Sequence, residues 1–338
     1  MKHILLIATG GTIASAPSEH GLMPSIDVNR LLSYIPEIGS FCHLEGVSIM
    51  HIDSTNMTPH LMGVIARTIK EQYDKYDGFV ISHGTDTMAY SAAAMSYMTK
   101  NSAKPIVFTG SQLPIEDPST DAKQNLVDAM HFACNGPSGV YIVFHGIAIN
   151  GTRATKQKSK SFDAFQSINF PVIASIKSGE ITYHIPRDHP DFQNIFHPNL
   201  SDDFSVDSNL CPDVLILKIS PGMKPEIFDF IKEHYKGVVL ESFGLGGIPN
   251  TDPDIISKIH ELTKNNVCVA ITTQCLEEGI DLRVYEVGQM LARQNVILSK
   301  DMTTEALTMK LMWALAHFDN PLKIKSYIET PYAFDRKD

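Results

Sequence analysis

Cysteine, tryptophan and long apolar runs are scarce in this chain of 338 residues. Its five cysteines, at 42, 134, 211, 268 and 275, form no C-x-x-C pair and are too scattered to staple a chain of this length. A disulfide framework and the common zinc and redox sites are thereby excluded, and reduced thiols of a cytosolic kind are expected. No stretch approaches the roughly 18 consecutive apolar residues of a membrane span. The apolar run after Met1 enters a Gly-Gly turn before a secretory h-region develops. A cytoplasmic location without membrane contact is expected. G-x-x-x-x-G-K-[ST], H-E-x-x-H, EF-hand and G-x-S-x-G signatures are missing, and Gly244-Leu245-Gly246-Gly247 lacks dinucleotide spacing. The 14 histidines are dispersed, with no helix-spaced pair for a metal. Only His83, in a strand-end turn, stands near candidate chemistry, and neither cofactor nor metal is expected. Positive charge is also short, at 28 Lys and Arg against 38 Asp and Glu, a net of -10. That balance opposes phosphate attraction, so no nucleic-acid partner is expected.

What is present is an ordinary globular composition, 43% hydrophobic, and enough chain for two domains. Short apolar runs, each ending in a glycine-bearing turn, recur at His3 to Ala8, Asp77 to Ser82, Pro105 to Thr109 and Gly139 to Phe144. Helix-like segments lie between them at Pro59 to Tyr73, Asp86 to Met98 and Ser119 to Cys134. Strands alternating with helices imply an α/β fold, a doubly wound and mainly parallel sheet whose ligands bind beyond the strands' carboxyl ends. The turns after these strands, His145-Gly146 included, are expected to face one crevice. The pattern fades across 187–211, read as a linker with Asp202 among its acidic residues. It resumes with strands at Asp213 to Ile219, Gly237 to Glu241 and Val267 to Thr272, and helices at Pro225 to Tyr235, Asp254 to Asn265 and Thr303 to His317. The expected organisation is a catalytic domain over 1–186, a linker over 187–211 and a smaller α/β domain over 212–338.

Four clusters could carry chemistry. Thr9-Gly10-Gly11-Thr12 ends the first strand, where glycines let backbone amides approach an anion and a hydroxyl follows. The plain alternative is a turn with Thr as N-cap. Ser82-His83-Gly84-Thr85-Asp86-Thr87 gathers hydroxyls and a carboxylate at a later strand end, or merely starts the next helix. Asp53-Ser54-Thr55-Asn56-Met57-Thr58-Pro59 suits recognition of a small zwitterion, or is a capped start before Pro59. Arg153 to Lys160 is a basic stretch of the kind that is usually solvated surface. If Lys156 reaches the crevice it can act as base for a hydroxyl.

Taken together, T-G-G-T-I at 9–13, D-S at 53–54, H-G-T-D-T-M at 83–88, T-G-S-Q-L-P at 109–114, T-K at 155–156 and F-D-A-F at 162–165 resemble the bacterial-type L-asparaginases. The absence of a leader points within that family to the cytoplasmic type I branch. The resemblance implies hydrolysis of L-asparagine to L-aspartate and ammonia, without cofactor, through an acyl-enzyme. By motif position Thr12 becomes the nucleophile, and Thr85, Asp86 and Lys156 become a second hydroxyl–carboxylate–base group. Asp53 and Ser54 fall where the family binds the substrate's amine and carboxylate, with Asp86 also on the amine. A homodimer or homotetramer is implied, with one protomer's second domain completing its partner's site. Tyr285-Glu286 and Gly246-Gly247 are expected near that interface.

The sequence departs from the family pattern twice. Many members carry a tyrosine in the loop after the first motif. Ser15 to Ile26 has none, with Leu22 or Met23 in its neighbourhood and Glu19 and His20 as the polar substitutes. The arginine and asparagine that flank a second asparagine site in the enterobacterial enzyme are also replaced, within Glu241-Ser242-Phe243-Gly244-Leu245-Gly246-Gly247. Glu in place of Arg reverses the charge offered to a carboxylate, so asparagine activation is expected to be absent or differently built. A broader glutaminase-asparaginase and a non-catalytic amino-acid sensor on the same fold are the alternatives. A tRNA-dependent amidotransferase component is disfavoured because the first strand begins at residue 3.

Overall fold

The computed structural model describes residues 1–18, 21–200, 203–284, 289, 291 and 294–337. Glu19, His20, Asp202, Tyr285 and Glu286, and the side chain of Leu22, lie outside the described residues, as do the expectations attached to them. The chain forms two compact units, Met1–Ser208 and Asn209–Asp338. No helix of the described residues is long and apolar enough to cross a membrane.

The larger unit is built on an eight-stranded sheet. Its strands are β1 (Lys2–Gly10), β2 (Cys42–Ile52), β3 (Gly78–Ser82), β4 (Pro105–Thr109), β5 (Gly139–Phe144), β6 (Ile147–Asn150), β7 (Ala174–Lys177) and β8 (Glu180–Tyr183). Their spatial order is β8-β7-β6-β5-β4-β3-β1-β2. From β2 to β5 all pairings are parallel. All five residues of β3 and all five of β4 are buried, which is why they read as unbroken apolar runs rather than alternating ones. Helices Pro59–Gln72, Met88–Met98 and Ala122–Asn135 supply the crossovers. The second, M-A-Y-S-A-A-A-M-S-Y-M, is buried at all but one position. A helix apolar on every side belongs inside the fold.

The remaining strands add an antiparallel edge to the expected mainly parallel sheet. His145 and Gly146 have φ of +49° and +74°, the left-handed pair of a two-residue hairpin turn. They send β6 back antiparallel to β5, and β7 and β8 continue antiparallel. His145-Gly146 is thus a hairpin tip, and the sheet is mixed.

The segment expected as a linker has structure of its own. It contains a helix at Phe192–Phe196 and a short strand at Ser205–Val206, the latter paired antiparallel with Thr99–Lys100. Phe204 stacks on Tyr73 at 3.6 Å between centroids, and Arg67 donates to Ser208 Oγ at 3.0 Å. These contacts carry the larger unit to residue 208. Aromatic stacking and a two-residue strand leave no periodicity for a sequence reading to detect.

The smaller unit holds four parallel strands in chain order, β9 (Val214–Lys218), β10 (Gly237–Ser242), β11 (Cys268–Thr273) and β12 (Ile297–Leu298). Its core joins Val238, Leu240, Val269 and Ile271 to Phe228 and Ile231 of helix Ile227–His234 and Ile255, Ile259 and Leu262 of helix Ile255–Lys264. Gly246, after β10, has φ of +116°, and a Cβ there would lie 2.3 Å from Leu282.

Candidate active site

In the order β2-β1-β3-β4-β5 the chain crosses to one side of β1 and then to the other. Such a reversal opens a crevice beyond the carboxyl ends of the strands that flank it, here β1 and β3. Thr9 to Thr12 ends β1 and His83 to Thr87 follows β3, so both turns stand at this point.

Glycine brings these turns into contact. Gly11 has φ of +77°, and a Cβ on it would lie 2.4 Å from the amide nitrogen of Gly84. A Cβ on Gly84 would in turn lie 2.5 Å from Ser54 Oγ. The first two turns therefore meet backbone to backbone, and the Ser54 side chain packs directly on Gly84, where a larger residue would hold them apart. Thr9 Oγ1 donates to Ser82 O at 2.9 Å, Thr87 Oγ1 to Ser54 O at 2.8 Å, and Gly11 N to Ile52 O at 2.8 Å.

The polar side chains divide between structure and site. Thr58, not Asp53 or Ser54, caps helix Pro59–Gln72, its Oγ1 accepting from Leu61 N at 3.3 Å. Asp53 caps the short turn Ser54–Asn56, accepting from the amide and hydroxyl of Thr55 at 2.9 and 3.0 Å, and is exposed. Thr85 and Asp86 do not cap the following helix, whose N-cap residue is Thr87. Instead Lys156 Nζ donates to Thr85 Oγ1 at 2.8 Å and to Asp86 Oδ1 at 2.6 Å. Thr85 is buried, Lys156 is 16% exposed in its side chain and Asp86 54%.

Lys156 arrives on the strand Ala154–Lys156, paired with Phe165–Ser167. The basic stretch thus splits three ways. Arg153 is 1% exposed and its guanidinium lies over the Phe170 ring, Lys156 reaches Thr85, and Lys158 and Lys160 face solvent. Thr12 is half-buried at the start of the turn Thr12–Ala14, one residue beyond the Gly11–Gly84 contact. The backbone amides of Thr12, Gly84 and Thr85 donate to no described residue.

His83 does not face the crevice. It is fully buried, and burial lowers its imidazole to about 4 against the hydrogen bond that favours its charge. The Gly84 carbonyl, 2.7 Å from Nδ1, can only accept, so Nδ1 carries the proton and Nε2 accepts from Ser91 Oγ at 2.9 Å. Its role is to hold the Gly84 carbonyl inward. Gln112 falls within the T-G-S-Q-L-P motif without standing out from sequence as a site residue, yet its Oε1 lies 3.3 Å from Thr85 Oγ1. A polar residue directly after a strand-end Gly-Ser was the available signal. Among the described residues no three His, Cys, Asp or Glu side chains are placed to hold a metal.

The family description "Asparaginase, N-terminal" matches residues 3–189, more than half of the chain. The chain belongs to the asparaginase family. A second description, "Glutaminase/Asparaginase C-terminal domain", matches residues 213–328. Among its asparaginase-family relatives is the L-asparaginase of Thermococcus kodakarensis, 38% identical over 330 residues and covering 96% of each chain. A solved L-asparaginase from that organism superposes with a TM-score of 0.90 at 37% identity, covering 99% of both chains. L-asparaginase I of Vibrio cholerae superposes with a TM-score of 0.88 at 30% identity and the same coverage, in keeping with the type I branch. A component of the glutamyl-tRNA(Gln) amidotransferase of Pyrococcus abyssi is 34% identical over 345 residues, covering 98% of this chain and 76% of that protein.

Proposed function

We propose that this chain hydrolyses the side-chain amide of L-asparagine to L-aspartate and ammonia through a threonyl ester. The observation that carries this reading is the placement of Lys156 between Thr85 and Asp86, beside the turn that bears Thr12. A threonine hydroxyl attacks an amide only when a neighbour takes its proton, and an amine at 2.8 Å from a hydroxyl is placed to do so.

In this reading Thr12 Oγ1 adds to the amide carbon, and the Thr85–Lys156 pair relays its proton to the departing nitrogen. The carbon–nitrogen bond breaks and ammonia leaves. Water then cleaves the ester and returns the proton to Thr12. The open amides of Thr12, Gly84 and Thr85 supply donors to the oxygen that becomes negative, the arrangement that lowers an acyl-transfer barrier most. Asp53 and Asp86, both exposed carboxylates, take the substrate ammonium, and Ser54 orients its carboxylate. When the ammonium engages Asp86, the Lys156–Asp86 pair loosens and Lys156 is left on Thr85. Glutamine is longer by one methylene, worth about 1–3 kcal/mol of discrimination, so it serves as a poorer substrate.

The test is ammonia release by the purified chain from L-asparagine, D-asparagine and L-glutamine, with mass spectrometry after rapid quenching. L-asparagine is expected to be preferred, with an ester trapped on the peptide that contains Thr12. Lys156→Met is expected to reduce kcat by about 10²–10⁴-fold. An ester on Thr85 instead would exchange the roles of the two threonines. No release from any amide, with asparagine still raising Tm, would replace hydrolysis by sensing. The 34% identity to an amidotransferase component favours a second reading, as part of such a complex. Release unchanged by added glutamyl-tRNA supports hydrolysis, and stimulation by it supports the second.

A further inference from the structure

We infer that Gln112 is a positioning residue that sets the direction of the Thr85 hydroxyl proton and ties the segment following Lys156 to the Thr85 turn. The inference rests on the hydrolytic reading for its kinetic consequence and on geometry alone for its structural one.

The orientation of the Gln112 amide follows from its partners. Its Nε2 lies 3.0 Å from Ser161 O and 3.4 Å from Lys158 O. Both are backbone carbonyls, which only accept, so the amino group must face them and Oε1 must face Thr85. Lys156 already donates to Thr85 Oγ1 at 2.8 Å, so the hydroxyl proton cannot point along that line. Gln112 Oε1, at 3.3 Å, accepts it. While Lys156 is an ammonium, the Thr85 proton is parked on Gln112. Once Lys156 has given up a proton, the same hydroxyl can rotate to donate to it. Gln112 thus fixes the resting arrangement from which the proton relay departs.

The support behind Gln112 is rigid. Its backbone amide donates to both carboxylate oxygens of Asp121 at 3.1 and 3.0 Å, and the Leu113 amide donates to the same carboxylate at 3.1 Å. Asp121 is 8% exposed and is held further by Asn125 Nδ2 at 3.1 Å. On the other side, the stretch after Lys156 closes on itself through Gln157 N and Lys158 N, both donating to Ala164 O, and the Lys158–Asp163 ion pair. Its side chains at 157–163 are exposed, so the Gln112 amide gives this stretch an anchor toward the interior. Lys156 precedes that stretch directly, and loosening it moves the ammonium.

Gln112→Leu removes both functions, and Gln112→Asn, of the same length and shape as Leu, keeps the amide on a shorter stem. Expected for Gln112→Leu is a kcat for L-asparagine about 10-fold lower, KM within about threefold of wild type, a Tm within a few degrees and a displaced pH–rate profile. Gln112→Asn is expected to recover part of kcat. A high-resolution crystal structure of Gln112→Leu is expected to show the Thr85 side chain in another rotamer and residues 158–161 displaced. Unchanged kcat and pH profile would overturn the kinetic role. An unchanged Thr85 rotamer with residues 158–161 in place would overturn the positioning itself. If the wild type releases no ammonia, the hydrolytic reading fails alone, and the crystal structure still decides on Gln112.

Discussion

Replacing Lys310 by methionine removes a charge from the interior of the smaller unit while keeping most of the side-chain volume. Lys310 lies on helix Thr304–His317 and pairs with Asp335 at 2.7 Å, both side chains being 0% exposed. Its ammonium also donates to Thr330 O at 2.7 Å and Ile328 O at 3.1 Å, so it gathers three acceptors around one cation. Burial pulls it below the usual lysine range, with Asp335 pulling the other way. Lys310→Met takes the cation away from the Asp335 carboxylate and a donor away from the Thr330 and Ile328 carbonyls, and breaking one side of a buried pair costs about 3–5 kcal/mol. With a urea slope of roughly 2 kcal/mol per molar, a loss of about 4 kcal/mol lowers the midpoint by about 2 M. Trp313, the sole tryptophan, sits on the same helix and stacks on His317 and Tyr327, so its fluorescence reports on this unit selectively. The double variant Lys310→Met with Asp335→Leu removes both members of the pair, with the buried Arg336 guanidinium left beside them, and is expected to recover part of the loss. A midpoint for Lys310→Met within about 0.5 M of wild type would refute the reasoning, since it would mean the three acceptors find other partners.

Gly84→Ala places a Cβ 2.5 Å from Ser54 Oγ and 3.2 Å from Gly11 Cα, so ammonia release is expected to fall more than about 100-fold, whereas Gly39→Ala, which meets open space, is expected to leave it unchanged. Burial pushes the Asp128 carboxyl up to about 6 from an ordinary 3.8. Its folded value lies above its unfolded one, so its stabilising contribution is present below about pH 4 and lost as pH rises through 6. Asp128→Asn, keeping the Gln124 hydrogen bond, is expected to stabilise the larger unit by about 3 kcal/mol at pH 7 and by little at pH 4. His83 has the opposite sign, because its folded value lies below its unfolded 6.5 and its contribution is lost as pH falls from there toward about 4. Urea midpoints by circular dichroism across pH 4 to 7 check both, and a less stable Asp128→Asn at pH 7 sinks the assignment. Glu241 accepts from Thr304 Oγ1 at 2.9 Å, and a carboxylate at this place repels the carboxylate of a second asparagine. The saturation curve for asparagine is therefore expected to be hyperbolic, and a sigmoidal curve abolished by substitution at 241 would contradict this.

The sequence was most legible where burial on both faces leaves one kind of residue. H-I-L-L-I-A, D-G-F-V-I-S, P-I-V-F-T and G-V-Y-I-V-F all fall within or against parallel strands of the large sheet. The antiparallel edge was illegible because β6, β7 and β8 are four residues each, running from mostly buried in β6 to mostly exposed in β8, too short for alternation to register. Ser178 and Gly179, at φ of +51° and +81°, close the β7–β8 hairpin, and this Ser-Gly pair was the one local signal for it. At the site, the strand-end turns were visible as glycine clusters. The link from Lys156 to Thr85 was not, because a basic run carries no mark of which lysine turns inward. Position in a two-stranded ribbon decides that, and neither of its strands exceeds three residues.

The hydrogen bond between Lys156 and Thr85 joins positions 71 residues apart, and it has an order in time. The five parallel strands are complete at Phe144, before Lys156 has been synthesised. The turns of Thr12, Ser54 and Thr85 are therefore all encoded ahead of the amine that lies against Thr85. On the proposed mechanism, a truncated product ending before residue 156 carries both threonines but lacks the amine that takes their proton, and is expected to release no ammonia from asparagine.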